Sequence, residues 1–197
     1  MAEAGYRRSA GSARGQARQQ ELLERVADDL AVNGLVDFSL RRAARAAGTT
    51  HKVLLYHFES VDDLLAQAIL RLRGQRIESA FAAAARLPTL AARVGALWTT
   101  LAGEQSRVLD QAIGLVMYDP VRYAELGRSA SRDYLPTLLA LCPEAWSEER
   151  KREVSELILA TLRGFLVAWL TGGDTVGVEA GFKALFRALE REEADGL

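Results

Sequence analysis

An all-α fold with a small N-terminal head and a larger helical body is what this sequence predicts, and three observations predict it. Long Ala/Leu/Arg/Glu stretches carry apolar residues at three- and four-residue steps, no segment alternates apolar and polar as a strand does, and there are only four prolines. The length of 197 residues, with 49% hydrophobic and 26% charged residues, is enough for one head and one larger second domain. The expected organisation is a tail over residues 1–15, a three-helix head over 16–60 and a helical body over 61–197, about nine helices in all.

The elements follow in order. Residues 1–15, rich in Ala, Gly, Ser and Arg, cannot bury a core. With Arg18 they hold four arginines, which suit either a solvated tail or an arm that tracks phosphates or enters the minor groove. A first helix is expected over 16–33, with Leu22, Leu23, Val26, Ala27 and Leu30 on one stripe and Gly34 ending it. Ser39 is a good N-cap for a short Ala/Arg helix whose Ala43, Ala44 and Ala47 permit a close crossing. Gly48 ends that helix where a left-handed residue is needed, and Thr49 and Thr50 supply hydroxyls to cap another at once. Helix, glycine, short turn, helix is the spacing of a helix-turn-helix. In its second helix Leu54 and Phe58 share an inward face while Lys52 and Tyr56 point the other way, and a cationic, aromatic free face suits a major groove.

From Ser60, with Asp62 and Asp63 in the first turn, a long helix to about residue 86 is expected to cross from head to body and act as a lever. Pro88 follows, then helices at about 89–102, 104–118, 121–141, 146–171 and 176–193, broken at Asp119-Pro120 and Cys142-Pro143. The last two carry wide apolar stripes: Val154, Leu157, Ile158, Thr161, Leu162, Phe165, Leu166, Trp169 and Leu170, then Val178, Phe182, Leu185, Phe186 and Leu189. A stripe that broad has two edges, one for the core and one for another subunit. Gly172-Gly173-Asp174-Thr175 follows no strand and precedes no Lys-Ser/Thr, so it reads as an interhelix turn and not a phosphate loop.

Charge and composition narrow the function. Net charge is −1, but residues 1–58 hold nine Arg/Lys against six acids, a balance of +3, which leaves −4 for the rest. A basic head on an acidic body can present one face to DNA and repel it elsewhere. A single cysteine, Cys142, excludes an internal disulfide framework and a thiolate zinc set, and its expected place is a small buried group near a helix end. Both histidines lie in the head, and no metal-spaced or Ser-His-Asp set appears, so no enzyme, cofactor or metal is expected. The first residues carry no apolar run of the kind a secretory signal needs. The most apolar stretch, LILATLRGFLVAWL, is interrupted by Arg163, so no membrane partner and a cytoplasmic location are expected.

The segment GLVDFSLRRAARAAGTTHKVLLYHFESVDDLL resembles the DNA-binding head of the TetR family of bacterial transcriptional regulators. Gly34, Phe38-Ser39, Ala44, Gly48, Thr50, Leu54, Tyr56-His57-Phe58, Ser60, Asp62 and Leu64-Leu65 carry the resemblance, which covers residues 18–66. It implies a homodimer whose heads read adjacent major grooves of palindromic double-stranded DNA, as a repressor. By resemblance His51, Lys52 and Val53, with Arg41 from the preceding helix, meet base edges, and Arg41 and Lys52 carry donors suited to guanine. Thr50, Tyr56 and His57 fit phosphate contacts. Arg42 joins this set, although with Arg45 it also reads as a solvated face, and His57 could instead satisfy a carbonyl within the head.

Two positions depart from the family pattern. The usual run is Leu-Tyr-x-His-Phe, but Leu55 stands where the first Tyr is expected, and Val61 stands where a phosphate-binding Lys is common. Leu55 can instead meet a thymine methyl, and fewer phosphate partners imply weaker non-specific binding. An alternative follows from the same positions: a dimeric ligand-binding or interaction module that keeps the fold with weak or lost DNA binding.

In the body the resemblance implies a small-molecule sensor and a four-helix dimer interface made by the last two long helices of each subunit. Pocket candidates are Trp98, Met117, Tyr118, Tyr123, Tyr134 and Phe165, the tyrosines bringing hydroxyls near helix breaks, against the plainer reading of aromatics as core. Interface candidates are Leu157, Ile158, Leu162, Phe165, Trp169, Phe182, Leu185, Phe186 and Leu189, with Ala160, Gly164, Ala168 and Gly181 allowing close approach. Arg163 can face an anionic ligand or form an ion pair.

Overall fold

The computed structural model describes residues 12–103, 107–173 and 175–195. Most of the expected tail therefore lies outside the described residues, as does Asp174. The described residues form nine helices and no strand. They are α1 (Ala13–Asn33), α2 (Leu40–Ala46), α3 (His51–His57), α4 (Val61–Ala84), α5 (Leu90–Leu101), α6 (Arg107–Tyr118), α7 (Ala124–Leu141), α8 (Glu148–Gly172) and α9 (Thr175–Asp195).

Local chemistry sets most of the boundaries. Ser39, Thr50, Thr89 and Ser147 each accept the backbone N–H three residues on, which satisfies one of the orphan donors of α2, α3, α5 and α8. Ser60 Oγ accepts from Asp63 N at 3.0 Å while Asp63 Oδ2 accepts from Glu59 N at 2.9 Å, a reciprocal cap at the start of α4. Gly34 and Gly48, at φ +68° and +61°, follow α1 and α2 in a backbone region that a side chain would strain. Pro136 lies within α7 although it removes a ladder bond. That helix is anchored on either side of it by buried Leu126, Leu138 and Leu141.

The helix C-termini are served from a distance. Arg76 donates to the carbonyls of Thr100 and Leu101 at the end of α5, Arg93 Nη1 to Leu141 O at 2.6 Å at the end of α7, and Arg150 Nη2 to Glu192 O at 2.6 Å near the end of α9. The last four carbonyls of a helix have no internal partner, so a guanidinium from a neighbouring helix completes them.

Two compact units divide the chain. The first takes the described residues through Arg73 together with Arg107–Asp119, and the second takes the rest. The expected head of residues 16–60 lies in the first unit, where α6 also packs against α1 and buries Val108, Leu109 and Ala112. The stripe of α1 is buried as its spacing predicts, with Leu22, Val26 and Leu30 at 0% exposure.

The core of the second unit draws on α5, α7, α8 and α9, from Leu90 and Val94 through Ile158, Leu162, Phe182, Leu185 and Leu189. Trp98, Phe165, Phe182, Phe186 and Trp169 form one aromatic cluster on it, with Phe182 centred 4.7 Å from Trp98 and 4.8 Å from Phe165. Two glycines make room for the rings: a Cβ on Gly181 would stand 2.5 Å from Phe165 Cε1, and one on Gly95 2.9 Å from Phe186 Cζ. By length and composition α8 could cross a membrane. Here its Val154, Ile158, Leu159, Leu162 and Leu166 are buried in the protein.

Cys142 is buried at the end of α7, with its Sγ 3.6 Å from Ser155 Oγ. Burial pushes the thiol above its ordinary range, so it is a packed neutral group.

Candidate nucleic-acid interface

In the first unit α1 and α3 both pack against α2 or its flanks, and side chains of α1 hold the ends of both shorter helices. Arg25 Nη1 donates to Ala47 O at 3.3 Å, at the end of α2, and Gln19 Nε2 donates to His57 O at 2.9 Å, at the end of α3. These donors fix the two short helices relative to α1 through their own backbones. Neither residue was singled out from the sequence, although helix ends that lack carbonyl partners call for donors on the helix that packs against them.

α3 shows the division of faces that its spacing predicts. Leu54 and Phe58 are buried at 0% and 2%, whereas His51, Lys52 and Leu55 are exposed. Leu55 keeps 51% of its surface free, an apolar group on an otherwise polar face. Val53, Tyr56 and His57 are half-buried, and the Tyr56 and His57 rings meet edge-on with centroids 4.9 Å apart. Arg41 on α2 is also exposed, and neither it nor Lys52 makes an ion pair or hydrogen bond with the described residues. Two cations without partners among the described residues thus stand on α2 and on the exposed face of α3. Thr50 Oγ1 accepts from Val53 N at 3.4 Å as a cap, and a hydroxyl that accepts in this way keeps its proton for an external oxygen.

Arg42, expected among the DNA-contacting residues, is engaged within the head. Its Nε donates to Asp29 Oδ2 at 2.7 Å, Nη1 to Val36 O at 2.7 Å, and Nη2 to Gly34 O at 2.8 Å and Asp29 O at 3.4 Å. The pair is well covered, the side chains of Arg42 and Asp29 being 14% and 19% exposed. A planar fork of donors fits a cluster of carbonyl and carboxylate oxygens, so Arg42 braces α2 against the end of α1 and the loop that follows it. Adjacent arginines at 41 and 42 look equivalent in sequence, and only the partners on α1 distinguish them.

His57 has a buried Nδ1 with no hydrogen-bond partner. Burial first, and the nearby Arg18 cation second, push its pKa below the ordinary 6.5. The folded head therefore favours the neutral ring, and a depressed histidine destabilises the fold only where the unfolded chain binds the proton. Stability is then unaffected above about pH 6.5 and falls as pH drops through that value. In thermal melts between about pH 8 and pH 5, His57→Asn should show a shallower acid-side decline than the parent chain, and parallel declines would refute this.

The body candidates are divided between the two units. Met117 and Tyr118 sit at the end of α6 in the first unit and are 68% and 88% exposed. Trp98 and Phe165 meet in the aromatic cluster with centroids 6.2 Å apart, Tyr134 is half-buried against the same core, and Tyr123 lies beside the Arg122 guanidinium. Arg163 Nη1 donates to Ser131 Oγ at 3.1 Å, an intrachain partner on α7.

The interface candidates separate along the two edges of their stripes. Ile158, Leu162, Phe182, Leu185 and Leu189 are interior to this chain and hold its core. Phe165, Trp169 and Phe186 are partly buried on the same core, and Leu157 is 49% exposed. Gly181 receives the ring of Phe165 within the chain, while Ala160, Gly164 and Ala168 stay exposed on α8.

No family model and no curated protein matches the sequence. Solved structures do match. A transcriptional regulator of Streptomyces coelicolor A3(2) is 20% identical, with 87% of this chain and 98% of that one covered at a TM-score of 0.65. A TetR-family member from Streptomyces coelicolor A3 is 19% identical over 87% and 98%, at 0.61. The multidrug binding protein EbrR, complexed with proflavin, is 16% identical over 86% and 98%, at 0.65. The chain thus has the fold of the TetR-family regulators over most of its length.

Proposed function

We propose that this protein is a DNA-binding transcriptional regulator that acts as a homodimer on a palindromic operator, represses a nearby promoter, and is released by a small-molecule effector. The observation that carries the proposal is the exposed face of α3. His51, Lys52 and Leu55 stand free there while Leu54 and Phe58 seat the helix, and Arg41 on α2 is likewise exposed. Arg41 and Lys52 supply donors for guanine edges, Leu55 an apolar contact for a thymine methyl, and Thr50 and Tyr56 hydroxyls for phosphates. Two such heads on one palindrome must stand about 34 Å apart. An effector that favours another spacing weakens DNA binding, and DNA weakens effector binding by the same factor.

The homodimer is supported by the exposed edge of α8, where Leu157 flanks Ala160, Gly164 and Ala168, small residues that let a partner helix approach. The likeness to a structure titled as a multidrug binding protein supports an effector that is a small organic molecule.

Lys52→Ala provides the test, by fluorescence anisotropy on the chain's own upstream DNA and on a scrambled duplex across a salt series. Losing a cation at a base edge should weaken specific binding roughly 5- to 150-fold with helix content unchanged. With Leu55 and Val61 in place of two phosphate partners, the salt slope should also be lower than a full contact set would produce. Equal affinity of parent and variant for the specific duplex would exclude the reading and favour a module that keeps this fold without reading DNA.

A further inference from the structure

The loop joining α1 to α2 is gripped from two sides. On one side Arg42, from the first turn of α2, holds the carbonyls of Gly34 and Val36. On the other, Gln111 of α6 places its Oε1 2.7 Å from the backbone N–H of Leu35, which donates to it across 76 positions of sequence. The same oxygen stands 2.8 Å from where a Cβ on Gly34 would lie, so the glycine serves both its positive φ and the approach of this amide. Gly34 is buried and Leu35 and Gln111 are half-buried, and α6 is fixed here by buried Val108, Leu109 and Ala112. Leu35 N–H lies beyond the end of α1, and the Gln111 side-chain carbonyl is the acceptor the structure provides for it.

We propose that Gln111 is a positioning residue for the DNA-reading face. By accepting from Leu35 it sets the path of residues 34–39, hence the start of α2 at its Ser39 cap, and through the packing of α2 on α3 the angle at which Arg41 and Lys52 meet a groove. The inference rests on the DNA-reading proposal above and adds a residue that touches no DNA. One amide oxygen carries the effect, so an acceptor of the same length preserves it and an apolar side chain of the same size removes it.

The test compares the parent chain with Gln111→Leu and Gln111→Glu, using a duplex that the parent enriches from a random-sequence library and a scrambled duplex of equal length. Gln111→Leu should lower the ratio of specific to scrambled affinity by roughly tenfold, since an unmet half-buried donor costs about what one net hydrogen bond contributes or more. Amide exchange at Leu35 should quicken by a similar factor, and helix content should not change. Gln111→Glu keeps a carboxylate oxygen at the same reach and should restore both readouts. Any charge it adds acts on both duplexes and cancels in the ratio. An unchanged ratio in Gln111→Leu, or a loss in Gln111→Glu as large as that in Gln111→Leu, would overturn the inference while leaving the DNA-reading proposal standing. A parent chain that enriches no duplex at all would overturn both.

Discussion

Replacing Arg42 by alanine should unfold the first unit at mild denaturant concentrations and, on the proposed function, abolish DNA binding, even though Arg42 faces the interior of the head. Its guanidinium serves four oxygen contacts on Asp29, Gly34 and Val36. Alanine leaves the Asp29 carboxylate without its cation and two loop carbonyls without a donor. Breaking a fully buried ion pair costs about 3–5 kcal/mol, and partial exposure here reduces that to about 2–4 kcal/mol.

All three tryptophans, at 98, 146 and 169, belong to the second unit, so their fluorescence reports that unit alone while far-UV circular dichroism reports every helix. In a urea titration of Arg42→Ala the dichroism should begin to fall before the fluorescence changes. Arg42→Lys should rescue little, since an ammonium cannot present a planar fork to oxygens on two sides. Unaltered stability in Arg42→Ala would mean that the brace contributes nothing, and Arg42 would return to the candidates for DNA contact. Lys52→Ala makes the contrast, losing affinity without losing helix.

Phe182→Ala should produce the largest stability loss in the second unit. Phe182 is 8% exposed and its ring touches those of Trp98, Phe165 and Phe186. Truncation removes a buried aromatic and leaves a cavity ringed by stiff side chains that cannot collapse into it, a cost of about 3–5 kcal/mol. In a chain of this size each kcal/mol lowers the melting temperature by about 2–4 °C, so a fall of roughly 6–20 °C is expected. Trp98 emission should shift as the cavity opens beside it. Phe182→Leu, which retains most of the volume, should lose far less. A melting temperature unmoved by Phe182→Ala would show that the cluster is loosely packed, and would make it a better effector site than a structural core.

The sequence by itself determined the helices, their caps and the division of faces on the first three. Ser39, Thr50 and Ser60 cap within three residues, Gly34 and Gly48 mark left-handed ends, and the stripe of α1 is buried residue for residue. Caps and left-handed glycines are local chemistry within one turn, and a periodic stripe shows its face without naming what covers it. Tertiary structure alone decided the rest. Neighbouring arginines part ways, Arg41 free and Arg42 bound, because Asp29 faces only one of them. On α8 and α9 a stripe wide enough to serve two surfaces became mostly core, with Leu157 and Leu170 left outside, because burial depends on where α5 and α7 pack. Met117 and Tyr118 were exposed and Gln111 was joined to Leu35 by the packing of α6 against α1. No local rule reaches across 76 residues, since such a contact exists only when the fold has brought the two segments together.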